Sequence, residues 1–391
     1  MKKQSKSPQI RFQNFKDKWL DSTIGRHISL LNGRAYKQEE LLDEGNYKVL
    51  RVGNFNTNSK WYYSNLELEE NKYVNKGDLL YLWATNFGPE IWTEEKAIYH
   101  YHIWKLDFDR TEINQDYLNI WLESDKNKIQ QNTNGSTMVH ITKTMMEERG
   151  ISLPNFDEQS AIGFLFRTLD NLLTSYKDNL VNYQSLKATM LSKMFPKVGH
   201  TVPEIRLDGF EGEWENSKIS DYVYLLNGRA FKQDELLNEG KYRVVRVGNF
   251  NTNEKWYYSN LELEENKYAN KDDLLYLWAT NFGPEIWKEE KIIFHYHIWK
   301  LEFDRSIIDR NYLYYWLEKD KKRIQQNTNG STMVHVTKSM MENREFLFPM
   351  FREQQAIGSY FSNLDNLIVA HQDKISQLET LKKKLLQDMF L

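Results

Sequence analysis

The sequence predicts an α+β protein with two similar mixed α/β domains, each followed by a long helix. Two observations lead to this prediction. Adding 195 to a residue number carries one half of the chain onto the other without a gap, so residues 8–195 and 203–390 are two copies of one unit. Within each copy, short apolar runs give way to roughly 38 residues with the spacing of an amphipathic helix. Two copies are too few and too long for a solenoid, so we expect a pseudo-two-fold pair of halves.

The first part of each copy has the patterns of both strands and helices. In the first copy, residues 47–52, 79–84 and 97–108 are rich in β-branched and aromatic side chains, which predicts three strands. Residues 114–131 carry apolar side chains at helical spacing behind an asparagine, which predicts a capped helix. Residues 144–147, and their equivalents in the second copy, fit a capping box that opens a short helix.

The last part of each copy has the period of one long amphipathic helix. Apolar residues step by three and four from Ile162 to Met194, including Leu172 and Leu186, and the second copy repeats the stripe. A helix of about 38 residues would be about 57 Å long, beyond ordinary globular lengths. We expect the two helices to pair as an antiparallel coiled coil. The alternative is that each helix lies on its own domain.

These changes of pattern divide the chain into four segments. We expect a first globular domain at residues 1–154 and a central long helix at 155–198. A second globular domain would occupy 199–349, followed by a C-terminal long helix at 350–391.

Composition excludes several classes of protein. There are no cysteines, which excludes disulfides and thiolate metal sites and favours a reducing compartment. The basic start of the chain is followed by no apolar segment typical of a signal peptide, and no run of 18 apolar residues could cross a membrane. We therefore expect a cytoplasmic protein. The net charge of -3 means that nucleic-acid binding would depend on local patches or on a partner's charge.

One polar stretch recurs unchanged. Residues 129–140 are repeated at 324–335, and residues 130–137 are all amides, hydroxyls or glycine. Amides that hydrogen-bond in two ways, beside a glycine that permits close approach, suit contact with base edges or phosphates. The alternative is a polar loop that is present twice because the chain was recently duplicated.

Three further polar clusters have side chains suited to recognition. They lie at residues 32–37, 51–58 and 83–86 and recur in the second copy, the last two at predicted strand ends. Arginine reads guanine and asparagine reads adenine through paired hydrogen bonds, whereas lysine, serine and threonine mostly hold phosphates. The candidate DNA-contacting residues are Arg34, Lys37, Arg51, Asn54, Asn86, Asn132, Asn134, Ser136, Thr137, Arg229, Lys232, Arg246, Asn249, Asn281, Asn327, Asn329, Ser331 and Thr332.

Signatures of catalysis are absent from the sequence. It has no phosphate-binding loop, no dinucleotide-binding glycine motif and no Asn-Pro-Pro-aromatic motif of amino-methyltransferases. The carboxylates and lysine at 89–96 are too closely spaced for a nuclease site built from two strands. His100 and His102 would share one face of a predicted strand but have no obvious third ligand, so a structural role is favoured over metal binding.

Several motifs together resemble a known family. The first copy carries them at residues 151–154, 158–163 and 194–196, the second copy at 348–349, 353–358 and 389–390, and the junction at 202–214. In this order they resemble the DNA-specificity subunit of type I restriction–modification systems, over nearly the whole chain.

The resemblance implies a non-catalytic DNA-reading scaffold. Each globular domain would be a target-recognition domain that reads one half of a bipartite site in double-stranded DNA, and the paired helices would set the spacer. Two DNA methyltransferase subunits would dock on the helices, with motor-nuclease subunits outside them. S-adenosylmethionine, ATP and magnesium would be bound by these partners, so no cofactor is expected in this chain.

The chain departs from the family in one respect. Recognition domains of such subunits are usually dissimilar, whereas these two are close copies, which predicts a gapped palindromic site. Two alternatives remain: a specificity subunit whose partner fuses methylation and cleavage in one chain, or a coiled-coil interaction protein that does not bind DNA.

Overall fold

The chain forms two compact units that cut across the two sequence copies. The computed structural model describes residues 8–55, 58–84, 87–132, 141–251, 253–279, 282–327 and 336–390, without the side chains of 131, 132, 326 and 327. Unit 1 comprises Met1–Lys177 with Asp373–Leu391, and unit 2 comprises Asp178–Gln372. Each unit therefore contains one globular domain, the start of one long helix and the end of the other.

The first copy has ten strands and four α-helices among its described residues. The strands are β1 (Leu20–Thr23), β2 (Ile28–Asn32), β3 (Tyr47–Leu50), β4 (Tyr63–Ser64), β5 (Tyr73–Val74), β6 (Leu79–Leu82), β7 (Gly88–Ile91), β8 (Ala97–Tyr99), β9 (Ile103–Phe108) and β10 (Gly150–Leu153). The helices are α1 (Ile24–His27), α2 (Gln115–Asn132), α3 (Lys143–Glu147) and α4 (Phe156–Lys193). Short 3-10 helices occupy Gln38–Glu40, Val52–Phe55 and Glu70–Lys72.

The second copy repeats this order. Its strands are β11 (Glu215–Lys218), β12 (Val223–Asn227), β13 (Tyr242–Val245), β14 (Tyr257–Ser259), β15 (Tyr268–Ala269), β16 (Leu274–Leu277), β17 (Gly283–Ile286), β18 (Ile292–Phe294), β19 (Ile298–Phe303) and β20 (Glu345–Phe348). Its α-helices are α5 (Arg310–Asn327), α6 (Lys338–Glu342) and α7 (Phe351–Met389). Its 3-10 helices are Ile219–Asp221, Gln233–Glu235, Val247–Phe250 and Glu265–Lys267.

Each globular domain is built on two four-stranded sheets and a two-stranded ribbon. In the first domain one sheet has the antiparallel order β2-β9-β6-β7, and the other has the order β4-β3-β8-β5 with a parallel β3–β8 pair. The ribbon β1–β10 joins the start of the domain to its end. The second domain has the same topology in β11 to β20.

The structure corrects the prediction of a single strand at residues 97–108. The chain leaves one sheet after β8 and enters the other at β9, with a turn at residues 100–102 between them. All of β8 and the first two residues of β9 are buried, so the apolar pattern alone does not show this break. His100 and His102 therefore lie in a turn, not on one face of a strand.

Two short helices begin earlier than the capping-box pattern predicts. The Thr142 hydroxyl accepts a hydrogen bond from the Met145 N–H at 3.2 Å and caps α3. Thr337 caps α6 in the same way through Met340. The threonine two residues before the predicted cap takes the role, because its backbone is extended there.

The motif at residues 158–163 joins the long helix to its domain through a buried ion pair. The Glu158 carboxylate is fully buried and accepts two hydrogen bonds from Arg11, at 2.6 and 2.7 Å, and one from Trp19 at 3.2 Å. Glu353 and Arg206 repeat the pair in the second copy. Removing one partner would leave a buried charge uncompensated, so this contact fixes the N-terminal arm onto the helix.

The next residues of the motif hold α2 against α4. The Gln159 amide accepts a hydrogen bond from the Asn114 N–H at 2.9 Å and donates to the Pro154 carbonyl at 2.9 Å. A Cβ atom at Gly163 would lie 2.9 Å from the backbone nitrogen of Tyr117, so only glycine permits this close approach of the two helices. The motif is therefore a structural joint.

The two long helices run antiparallel within each unit. In unit 1, the Phe166 and Phe390 rings lie 6.0 Å apart, and Asp170 pairs with Lys382 at 2.8 Å. As residue numbers increase along α4, the numbers of the contacting residues on α7 therefore decrease. In unit 2, Lys187 pairs with Asp365 at 2.5 Å and the Phe195 and Phe361 rings lie 6.1 Å apart, so the helices are again antiparallel. The predicted antiparallel pairing is confirmed.

The buried stripe of α4 differs in part from the prediction. Leu172 and Leu186 are 42% and 37% exposed, whereas Phe166 and Leu173 are 0% and 8% exposed. The domain and the second helix both pack on α4, so its buried face is wider at the start than a simple seam. None of the helices in the described part of the chain is long and apolar enough to cross a membrane.

Candidate nucleic-acid interface

A His-Tyr-His turn at residues 100–102 gathers the ends of three strands. The N–H of its first residue donates to the Leu50 carbonyl at 2.8 Å, at the end of β3. The carbonyl of its third residue accepts from the Trp83 N–H at 3.2 Å, just after β6. The N–H of its second residue donates to the Arg34 carbonyl at 3.1 Å, after β2. Three of the polar clusters predicted from the sequence therefore meet at this turn.

The approach of the chain after β2 to the turn requires glycine. A Cβ atom at Gly33 would lie 2.4 Å from the carbonyl oxygens of both Tyr99 and His100. Gly228 faces its equivalent turn at the same distances. Any side chain here would push the Asn-Gly-Arg segment away from the turn, so glycine sets the geometry of the cluster.

The residue that follows each polar loop is bonded to the same region. The Val336 N–H, directly after the second loop, donates to the Trp278 carbonyl at 3.2 Å, and the first copy forms the same bond at 3.5 Å. Loop residues 133–140 and 328–335 lie outside the described residues, as do 85–86 and 280–281. The following candidates are thus not located, wholly or in their side chains: Asn86, Asn132, Asn134, Ser136, Thr137, Asn281, Asn327, Asn329, Ser331 and Thr332.

An aromatic cluster lies beside the turn. The Trp83 indole N–H donates to the Tyr101 carbonyl at 2.9 Å, and its ring lies 4.9 Å from His102 and stacks at 5.8 Å on Trp104. Tyr101 and its equivalent Tyr296 remain 40% and 39% exposed. Each domain therefore presents a tyrosine on a rigid aromatic base, next to the point where the polar loop ends.

The turn histidines have the properties of structural residues. Burial, followed by the neighbouring His102 and Arg51, lowers the pKa of His100 to about 4, and His295 has a similarly lowered pKa of about 4. Both imidazoles are therefore neutral near pH 7. Within the described ranges, no group of three or more His, Asp or Glu side chains could hold a metal ion.

Two of the predicted arginines are occupied by nearby carboxylates. The Arg34 guanidinium donates to both carboxylate oxygens of Glu40, at 3.1 and 2.7 Å, whereas Arg229 donates to one carboxylate oxygen of Glu235. The hydrogen bond to Glu40 raises the pKa of Arg34 and lowers that of the carboxylate. Lys37 is exposed and lies 3.9 Å from Glu39. Only the N–H groups of Arg34 that Glu40 leaves open are therefore available to a ligand.

Asn54 shapes its own loop. Its side-chain oxygen accepts from the Arg51 N–H at 3.0 Å, and its amide nitrogen donates to the carbonyls of Lys60 at 3.1 Å and Asn58 at 3.4 Å. Asn249 makes the equivalent bonds. Direct base contact by these asparagines remains a prediction, and these hydrogen bonds oppose it because they use both ends of the amide.

Arg51 is presented on a tyrosine ring. Its guanidinium lies 4.4 Å from the centroid of Tyr62, and the Lys60 ammonium lies 4.8 Å from the same ring. Arg246 lies 4.6 Å from Tyr257 in the second copy. No residue located in the structure accepts a hydrogen bond from the Arg51 guanidinium, so its planar donor fork is held in place and available to a ligand.

Lys60 and Tyr62, which contact each other beside Arg51, were not identified from the sequence. They belong to a Lys-Trp-Tyr-Tyr segment at residues 60–63 that recurs unchanged at 255–258. The exact repetition of a basic-aromatic segment was the available signal. Its meaning becomes clear only when β4 pairs with β3 and brings the ring beneath Arg51.

Each of the two near-identical domains carries the same polar and aromatic cluster and is followed by a long helix, which defines a protein with two equivalent candidate binding surfaces. A sequence profile described as "Type I restriction modification DNA specificity domain" matches residues 16–183 and 211–380. The chain belongs to this family, whose role is DNA specificity and not catalysis.

Individual relatives agree with the family assignment. The type I restriction enzyme MjaVIII specificity subunit of Methanocaldococcus jannaschii is 23% identical over 333 residues, covering 80% of this chain and 78% of that protein. The crystal structure of a type I restriction–modification S subunit from M. genitalium has a TM-score of 0.64 at 17% identity and covers 99% of both chains.

A second solved structure, described as the basis of complex assembly and conformational transition of the type I R-M system, has a TM-score of 0.54 at 14% identity. It covers 95% of this chain and 97% of that one. At these identities the similarity shows a shared fold, which agrees with the predicted two-domain architecture.

Proposed function

We propose that this subunit reads a gapped inverted repeat with identical or nearly identical halves. The observation that supports this proposal is the repetition of the whole cluster. The His-Tyr-His turn, the arginine on its tyrosine and the polar loop occur in both domains with the same residues. Two domains with the same reading groups should select the same bases, each on its own half-site.

The partners belong to the same proposal. Two methyltransferase subunits bind the long helices and motor-nuclease subunits join outside them, in the cytoplasm, where S-adenosylmethionine, ATP and magnesium are bound by these partners. The helices offer a suitable apolar surface, because four leucines at equivalent positions are exposed. They are Leu172 at 42%, Leu186 at 37%, Leu367 at 41% and Leu381 at 44%.

Methylation mapping of DNA from cells that express the subunit with its methyltransferase tests the site. The expected motif has two matching halves in inverted orientation, separated by a fixed gap. Cells that express the methyltransferase alone are the control. A motif with unrelated halves would contradict the proposal.

The two arginines on tyrosines allow a sharper test. Arg51→Lys keeps the charge but removes the planar fork, so one base position in one half-site should be relaxed by about 1–3 kcal/mol. Arg246→Lys should relax the mirror-related position in the other half. Arg110→Lys, in an exposed arginine outside the cluster, is the control and should change nothing. Relaxation at positions unrelated by the inverted repeat would overturn the assignment.

A further inference from the structure

A groove of similar construction occurs once in each unit. In unit 1 it has a volume of about 970 Å³ and lies between the C-terminal half of α2 and the two long helices. In unit 2 it has a volume of about 370 Å³ and lies between α5 and the end of α4. Six lining positions are equivalent: 124, 127, 128, 383, 386 and 387 in unit 1 correspond to 319, 322, 323, 188, 191 and 192 in unit 2.

Both grooves are lined by positively charged residues, but these residues lie mainly on different helices in the two units. In unit 1 the domain helix contributes Ser124 and the long helix contributes Lys383. In unit 2 the domain helix contributes Lys319 and the long helix contributes Ala188. Unit 2 also has Lys322 on the domain helix, where unit 1 has Asn127. The lysine that the unit 2 long helix lacks is thus accompanied by two lysines on the opposite wall.

The lysines of the grooves differ in how far they are neutralised. In unit 1, Lys382 is held by Asp170 at 2.8 Å and Glu123 at 3.1 Å. Among the located residues, no carboxylate forms an ion pair with Lys383 in unit 1 or with Lys322 in unit 2, although their neighbours Lys382 and Arg323 are paired. These cations leave each groove with charge that an anion could neutralise.

The charged form of Lys319 is destabilised by its surroundings in the unit 2 groove. Burial, followed by the charge of Arg323, lowers the pKa of Lys319 to about 8. Its ammonium donates to the Pro196 carbonyl at 2.6 Å, which is a neutral partner. An anion in the groove would therefore stabilise the charged form of this lysine.

We propose that both grooves bind the phosphate backbone of duplex DNA and anchor each domain beside its half-site. The inference rests on the proposed DNA-reading function and names surfaces outside the candidate interface at the His-Tyr-His turn. Gln130 lines the unit 1 groove and leads directly into the polar loop, so a strand contacted by the loop would continue along the groove.

The exchanged lysines favour a polyanion over a small ligand. A specific small anion needs donors at fixed positions, whereas phosphate contacts along DNA depend mainly on the number of neutralising charges. An acidic surface of a partner subunit would tolerate the same exchange. Continuity with the polar loop favours DNA, and the experiment below separates the two.

The test exchanges residues between the copies, so each substitution introduces a side chain that the equivalent position already accepts. Lys383→Ala removes one contact from unit 1, and Lys319→Ser with Lys322→Asn removes two from unit 2. Ser124→Lys added to Lys383→Ala returns the charge on the other wall. Lys76→Ala, in an exposed turn near the opposite end of α2, is the matched control.

The measurement is the affinity of the full chain, assembled with its methyltransferase, for a duplex with the mapped site and for an unrelated duplex, across a salt series. The slope of log affinity against log salt should fall by about 0.9 for each lost contact, equally on both duplexes. The Ser124→Lys rescue and the Lys76→Ala control should retain the wild-type slope.

Three results would overturn the inference. One is unchanged slopes in all groove variants, and another is failure of Ser124→Lys to restore the slope. The third is weaker methyltransferase assembly in sedimentation with an unchanged slope, which would assign the grooves to an acidic protein surface. If the wild-type assembly shows no site preference, the proposed function fails alone, because the slope on unrelated DNA still tests the grooves.

Discussion

A chain that ends at residue 198 should form a two-fold homodimer. Unit 1 is completed by Asp373–Leu391 from the second copy, which such a half-chain lacks. The first copy carries its own equivalent segment at residues 178–196, with Lys187 in place of Lys382 and Phe195 in place of Phe390. A second half-chain can therefore supply what the first one lacks.

The contacts of unit 1 indicate how well this replacement fits. The pair between Asp170 and Lys382 at 2.8 Å would be kept by Lys187. The pair between Lys177 and Glu379 at 2.7 Å would be lost, because glutamine occupies the equivalent position 184. Both side chains of the lost pair are about half exposed, so the loss costs roughly 0–1 kcal/mol.

A monomeric half-chain would be much less stable. Phe166, Leu169 and Leu173 are 0%, 6% and 8% exposed on the buried stripe of α4. Leaving three such side chains in water costs roughly 5–9 kcal/mol, at about 1.5–3 kcal/mol each. This range is comparable to the whole stability of a typical domain, about 5–15 kcal/mol, so dimerisation should be strongly favoured.

Sedimentation equilibrium and methylation mapping together test this prediction. The half-chain should sediment as a dimer and, with the methyltransferase, modify the motif of the full chain. Lys187→Glu in the half-chain places like charges opposite Asp170 twice per dimer, so it should weaken association. The reasoning is refuted by a folded monomer, or by a dimer that modifies a motif with a different spacer.

Three further predictions concern stability and recognition, and one concerns activity. Gly163→Ala should lower the free energy of unfolding by about 1–3 kcal/mol in denaturant titrations, and an unchanged midpoint would contradict the tight helix contact. The free energy of unfolding should fall as the pH drops from 6.5 towards 4. The depressed pKa of His100 and of His295 keeps both histidines neutral in the folded state, whereas the unfolded chain binds protons in this range, and His100→Gln should reduce the fall. Asn132→Ala with Asn327→Ala should weaken specific more than non-specific binding, by about 1–3 kcal/mol per lost base contact, and an unchanged preference would count against the loop. The purified chain with S-adenosylmethionine, ATP, magnesium and target DNA should neither methylate nor cut, and methyl transfer by the chain alone would refute the scaffold role.

The architecture could be predicted from local patterns because the repeat and the helical period are properties of neighbouring residues. The two long helices form where the helical period extends, at Phe156–Lys193 and Phe351–Met389, and the described residues of the polar clusters follow β2, β3 and β6. The division of residues 97–108 between two sheets could not be predicted, since a strand buried on both faces has the same pattern on either side of the turn.

The candidate interface around the His-Tyr-His turn was less predictable, because its contacts join groups that are distant in sequence or that compete for the same donors. Arg34 is of a residue type that can contact base edges, yet Glu40, six residues away, accepts hydrogen bonds from both of its terminal nitrogens. Arg51 lies on Tyr62 only after β3 and β4 pair. Sequence identifies the residue types at such a site, whereas tertiary pairing decides which of them remain open to a ligand.

The exchange of helix ends between the two copies has consequences during synthesis. The globular domain made first cannot complete its packing until residues 373–391 have left the ribosome, although the unit that contains the second domain needs no later segment than residue 372. A premature stop codon near residue 372 would therefore damage the domain encoded at the beginning of the gene and spare the one encoded next to the lesion.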